Sequence, residues 1–344
     1  MIPARPTVAE VLGALGIASP PAYTPEARSP WFVEAFVGFA AWLSGLLLML
    51  FLFLADLVQS EVAAIVTGSV LVAIAIGLRW SPRGEHVFVN QLALALVIAG
   101  EGLVCFGLVD VIHESVAYLA CALVFAGTLI GFPSPIHRLL ATIGVGLCVG
   151  AFVHDLNEDL PLHLAAAPLF AAAVVLFDRE ATLEGSGVAP FRLPVAYGAL
   201  LGTGLLLLFP LWSQGEQLGY TVATTVGVTA VVAVWLARAV VPEVIAGVMP
   251  EDSRLPALAA AVVGLVGLLT LPTPGIVASL GVLLLAFHRR QALLFALGTC
   301  GLAGFLFWFY RDLDLTLWLK ALVLVASGLV LLGVRAALVR TEAA

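Results

Sequence analysis

From about residue 35 onward the chain is a succession of long apolar runs separated by short polar turns. Runs of about 20 apolar residues match the thickness of the hydrocarbon core of a bilayer. They predict membrane spans at about 35–57, 62–79, 87–109, 115–132, 138–154, 160–177, 194–212, 219–238, 255–271, 275–288, 292–310 and 315–335, about 12 in all. Backbone groups left unpaired in hydrocarbon are costly, so a span is either a helix or a strand of a closed barrel. These runs lack the apolar-polar alternation of barrel strands. The expected fold is therefore all-α, a polytopic transmembrane helix bundle. The runs at 255–271 and 275–288 are short and flank Pro272-Thr273-Pro274, which fits two full spans or one re-entrant hairpin.

Composition supports lipid as the main solvent. The chain of 344 residues is 62% hydrophobic and 11% charged, where a soluble domain carries about 25% charged residues. Of its 15 Lys and Arg, all but Arg311 and Lys320 fall on one side of the expected spans: Arg5, Arg28, Arg79, Arg83, Arg138, Arg179, Arg192, Arg238, Arg254, Arg289, Arg290, Arg335 and Arg340. The positive-inside rule then places both termini in the cytoplasm. The opposite loops hold Asp56, Glu61, Asp110, Glu114, Asp155, Glu158, Asp159, Glu216, Asp312 and Asp314. Such a rim attracts cations, although acids also accumulate simply where arginine is excluded. The net charge of −7 is split between two faces and indicates no soluble acidic partner.

Residues 1–34 form a polar, proline-containing N-terminal tail with one short amphipathic stretch, Val8 to Leu15. No basic-then-apolar secretory signal precedes the first span, which is the expected insertion signal. The transmembrane domain covers 35–338. Gly185-Ser186-Gly187, in the long inner loop from Asp178 to Leu193, is the best boundary between two six-span halves, 35–178 and 194–338. A faint echo supports the halves: Gly150 to Leu156 and Gly304 to Leu313 both close a span in an acidic outer turn, as in parallel-repeat transporters.

Two charges stand inside spans. Glu101, between Gly100 and Gly102, is expected roughly 12 Å from the outer end of the third span, and Lys320 roughly 8 Å from the outer end of the last. An isolated charge costs about 2.5–3.5 kcal/mol on insertion scales. Neighbouring spans would allow a Glu101–Lys320 pair; distant ones leave Glu101 protonated and Lys320 snorkelling past Trp318. Glu101 then reads as a proton or cation carrier or as a hydrogen-bonding link between helices. Asn90 and Gln91 open the same span, and Asn90, Glu101 and Asp110 recur near whole multiples of 3.6, a candidate polar track.

Other chemistry is sparse. His113-Glu114, the run from His154 to Asp159, and His163 place potential ligands on the outer face, but without rigid two-histidine spacing no metal site is indicated. Cys105, Cys121, Cys148 and Cys300 lie in apolar runs with no CxxC spacing, so neither a disulfide framework nor zinc is expected. Gly144-x-Gly146-x-x-x-Gly150 and Gly298-x-x-Gly301-x-x-Gly304 suit helix packing rather than phosphate binding. No nucleophile elbow, phosphate loop or basic nucleic-acid patch is present. The chain therefore reads as non-enzymatic, without a cofactor or a nucleic-acid partner, and with Trp308, Phe309, Tyr310 and Trp318 as an aromatic belt.

The segment Phe309-Tyr310-Arg311-Asp312-Leu313-Asp314-Leu315-Thr316-Leu317, followed by Lys320 and Ser327-Gly328, resembles the closing signature of a bacterial membrane family, domain of unknown function 4401. Pro30-Trp31-Phe32-Val33 with Gly38-Phe39-x-x-Trp42-Leu43 is similar to that family's first span. Arg311 departs from an expected aromatic and Ala321 from an expected serine, and relatives favour amides near Gln91 and Glu101. The resemblance implies a multi-pass inner-membrane protein, often encoded beside a second uncharacterised membrane protein of the domain-of-unknown-function 2157 type. It makes Tyr310, Leu313, Thr316, Leu317 and Lys320 the signature positions. The expected role is a structural or assembly partner in a membrane complex. The alternative is a secondary transporter or proton-coupled carrier using Glu101, and a lipid-acting membrane enzyme ranks behind both.

Overall fold

A computed structural model describes residues 31–81, 86–156, 161–183, 185–208, 218–245 and 273–312, with the single positions 264, 267 and 318. Among them the regular structure is entirely helical: α1 (Trp31–Leu54), α2 (Glu61–Trp80), α3 (Val87–Val111), α4 (Glu114–Gly131), α5 (Pro135–Leu156), a 3-10 turn (Leu162–Ala165), α6 (Ala166–Asp178), the short α7 (Glu180–Leu183), α8 (Ala189–Leu206), α9 (Leu218–Ile245), α10 (Pro274–Arg289) and α11 (Ala292–Asp312). Seven of the described helices are long and apolar enough to cross a membrane, and Leu162–Asp178 and Pro274–Arg289 are shorter apolar helices. The expected spans at 255–271 and 315–335 lie outside the described residues apart from Gly264, Gly267 and Trp318, as do the tail through Pro30 and both chain termini.

The outer surface of the bundle is what lipid requires. Phe39, Phe106, Leu123, Ile130 and Phe287 are all at least 61% exposed. So much uncovered apolar area is untenable in water and ordinary against acyl chains. Polar residues mark the helix ends. Ser60 caps α2 by accepting from the Ala63 amide at 3.2 Å, with Glu61 in the first turn beside the positive end of the helix dipole.

Close backbone approach sets the crossing of α2 and α3. A Cβ on Gly100 would stand 2.7 Å from the Gly68 carbonyl oxygen and 2.8 Å from Val72 Cγ2, and one on Gly68 would stand 2.6 Å from the Gly100 oxygen. Only glycine fits either position. The stepwise turn of about 100° per residue then aims the neighbouring Glu101 away from α2. The α4–α5 turn is tied to the end of α2, where Arg79 Nη2 donates to the Pro133 oxygen (3.2 Å) and Trp80 Nε1 to the Gly131 oxygen (3.1 Å).

Two buried clusters form the described core. One joins α1 to α4 through Leu52, Leu71, Leu96, Val97 and the helix-terminal Phe132. The other joins α6 to α11 through Phe170, Phe177, Leu206, Val228 and Ile276. Helix α5 touches both sides: Gly144 lies under the Phe125 ring of α4, and Gly146 under Leu169 of α6. Of the second glycine run, Gly298 and Gly301 abut Leu283 and Ser279 of α10, while Gly304 meets nothing among the described residues.

Candidate functional site

The acid inside α3 is enclosed by the α4–α5 hairpin. Glu101 is 3% exposed. Its Oε1 accepts from Thr128 Oγ1 at 2.5 Å and lies 2.8 Å from His137 Nε2, and His137 is itself wholly buried. One oxygen thus gathers side chains from three helices. The Phe132 ring packs edge-on against His137 with centroids 5.1 Å apart. His137 Nδ1 is buried and has no hydrogen-bond partner among the described residues.

This geometry supports two proton arrangements. With Glu101 ionised, Thr128 and His137 both donate to Oε1, and charge-assisted bonds of this kind are the strong ones. With Glu101 protonated, its O–H donates to one partner. The Thr128 hydroxyl can then turn to the Val124 carbonyl at 3.0 Å, which is already within reach. The cluster can therefore take up one proton by reversing hydrogen bonds, without moving a helix.

Glu101 lies roughly 15 Å from the Val111 end of α3, because the helix runs past the expected end of the span. Its described hydrogen-bond partners are Thr128 and His137. Lys320, the partner that neighbouring spans would allow, lies outside the described residues, as do Leu313, Thr316 and Leu317. Asn90 and Gln91 are half-buried in the first turn of α3, and Gln91 packs toward Gly38 of α1. The structure does not bring them to Glu101, since the buried apolar residues Leu94 and Val97 occupy the intervening turns of that face. Tyr310 is half-buried near the end of α11, where Arg311 stacks at 3.8 Å over the Trp308 ring. His113 at the start of α4 and Asp155 at the end of α5 approach to 4.0 Å, and no metal-ligating group of three is found among the described residues.

Sequence reasoning passed over His137 and Thr128. A second buried imidazole was read only as part of an outer loop: His163 Nδ1 lies 2.8 Å from Thr224 Oγ1 of α9, both enclosed.

Apolar helices enclosing a carboxylate, an imidazole and a hydroxyl define a helical membrane protein with an intramembrane polar cluster. The family scan is more specific: the chain belongs to the family described as Domain of unknown function (DUF4401), whose model matches residues 30–341. Neither the curated proteins nor the solved structures gave a match.

Proposed function

We propose that this protein is a non-enzymatic, multi-pass inner-membrane scaffold that assembles with a second membrane protein, its termini in the cytoplasm. Glu101, His137 and Thr128 act as its internal clamp. The carrying observation is the convergence of α3, α4 and α5 on the single Oε1 of Glu101, with every partner buried. In hydrocarbon a polar group without a partner is costly, so such a junction favours one helix arrangement over its alternatives. A fixed arrangement is what an assembly partner presents to its neighbour. The second membrane protein is the one that the family resemblance implies is encoded nearby.

One observation favours a second reading. The unpartnered Nδ1 of His137, together with the two proton arrangements, suits a proton-coupled carrier with Glu101 as the proton site. Glu101→Gln separates the two readings, because the amide keeps an oxygen acceptor for Thr128 and His137 but cannot release a proton. The scaffold reading expects wild-type and variant proteoliposomes, loaded with a pH-sensitive dye, to move protons no faster than empty vesicles. It also expects both proteins to co-purify with the neighbouring membrane protein. Proton movement that is present in the wild type and lost in a folded Glu101→Gln variant would replace the scaffold with the carrier.

A further inference from the structure

At the arginine-bearing end of the bundle, the carboxylate of Glu180 in α7 faces two guanidiniums. Arg192 Nη2 of α8 donates to its Oε1, and Arg289 Nη2 at the end of α10 lies 3.4 Å from its Oε2. A third cation, Arg138 of α5, is held alongside by the Leu129 oxygen (3.3 Å), the Pro190 oxygen (3.0 Å) and the Phe191 ring (3.8 Å). Asp178 and Arg179 close α6 next to Glu180 with opposite charges, and Asp178 accepts from Trp235 Nε1 at 3.2 Å. Two guanidiniums thus meet the one Glu180 carboxylate, while Arg138 is held by carbonyl oxygens and a ring with no acid of its own among the described residues, so positive charge is left over.

The donors are also left over. Arg192 is 6% exposed. Its Nη1 is buried and makes no hydrogen bond among the described residues, and the same holds for Nε of Arg289, whose Nη2 has only the 3.4 Å approach to Glu180. Buried guanidinium N–H groups without acceptors are costly, and their planar fork matches the oxygens of a phosphate. The site lies where the apolar helix α8 begins and α10 ends, the level of lipid headgroups. Along the same two helices is a cavity of about 440 Å³ lined by Leu200, Leu201, Thr203, Ala278 and Val282. It begins roughly 12 Å from Arg192 at about 1.5 Å per residue, within the reach of an acyl chain.

We propose that Arg192 and Arg289 bind the phosphate of an anionic phospholipid, with an acyl chain running toward this cavity. The arginines at this end then do more than set orientation: one lipid ties α8 to α10 through the oxygens that Glu180 alone does not supply.

Native mass spectrometry of the full chain in detergent tests this with phosphatidylglycerol, phosphatidylcholine and inorganic phosphate supplied separately. The expected result is a single retained phosphatidylglycerol, held at least about tenfold more strongly than phosphatidylcholine, and weakened about tenfold by Arg289→Gln. Arg289→Lys, which keeps the charge but loses the fork, falls between. Its retained melting profile distinguishes loss of the ligand from loss of the fold. Equal retention of the two lipids, or an Arg289→Gln variant that binds like the wild type, would overturn the assignment. Arginine-dependent retention of inorganic phosphate without lipid would overturn the lipid source and assign the site to a soluble phosphate.

Discussion

Removing Glu101 and His137 singly and together tests whether the three helices are held by this contact. In Glu101→Ala, Thr128 retains the Val124 carbonyl at 3.0 Å, but His137 loses its one described partner while its other ring nitrogen is already unpartnered. A buried polar group stranded in this way costs about 1–3 kcal/mol. In His137→Ala, Glu101 keeps Thr128 but loses the other of its two described hydrogen-bond partners. The double variant strands nothing, so its loss should be smaller than the sum of the single losses. Intramembrane hydrogen-bond couplings average about 0.6 kcal/mol and reach about 1.7 kcal/mol, and this contact, at 2.8 Å between buried groups, belongs toward the upper value. Equilibrium unfolding in mixed detergent micelles measures it. Losses that add within about 0.3–0.5 kcal/mol would refute the contact. Lys320→Gln supplies the competing test: a coupling to Glu101 above that level would establish the ion pair that the sequence leaves open.

Two further variants probe what surrounds the cluster. Gly100→Ala places a methyl group 2.7 Å from the Gly68 oxygen, so α2 and α3 must separate. A loss of about 1–3 kcal/mol is expected in the same unfolding assay, while Gly102→Ala, with nothing within 4 Å among the described residues, should be neutral or stabilising; equal effects would refute the close crossing. Trp80→Phe removes the bond to the Gly131 oxygen and should speed hydrogen exchange in the α4–α5 turn while leaving the far end of α4 unchanged. Unaltered exchange would show that α2 does not hold that turn.

Helix positions were legible where an apolar run reaches the length that a bilayer requires, as in the seven described helices long and apolar enough to cross one; Leu162–Asp178 and Pro274–Arg289 fall short of that length. The helix ends are informative. Helix α3 runs past the expected end at 109 through Asp110 to Val111, and α5 begins at Pro135 rather than 138, because a charged residue at a membrane boundary does not end a helix and proline is tolerated in a first turn. Packing was far less legible. Gly100 and Gly102 flank the same acid and look alike in sequence, yet one lies against a neighbouring backbone and the other against nothing among the described residues. The difference is rotational phase about α3, which apolar residues on every side of the helix leave unspecified.

The same distinction explains why half of the site was visible. A carboxylate amid apolar residues is conspicuous, so Glu101 stood out and the one lysine seemed its natural partner. His137 was not conspicuous, because beside Arg138 at the start of a span an imidazole reads as interfacial. Its burial comes from tertiary structure: Arg79 and Trp80 bind the Gly131–Pro133 turn, and Phe132 covers the ring. Thr128 and His137 flank that turn and arrive at Glu101 as one preformed pair of donors. A lysine from a span far along the chain would have to be brought to the acid by long-range assembly. The hairpin α4–α5 needs only a short loop closure, so the nearby imidazole and hydroxyl are the partners that folding can supply first.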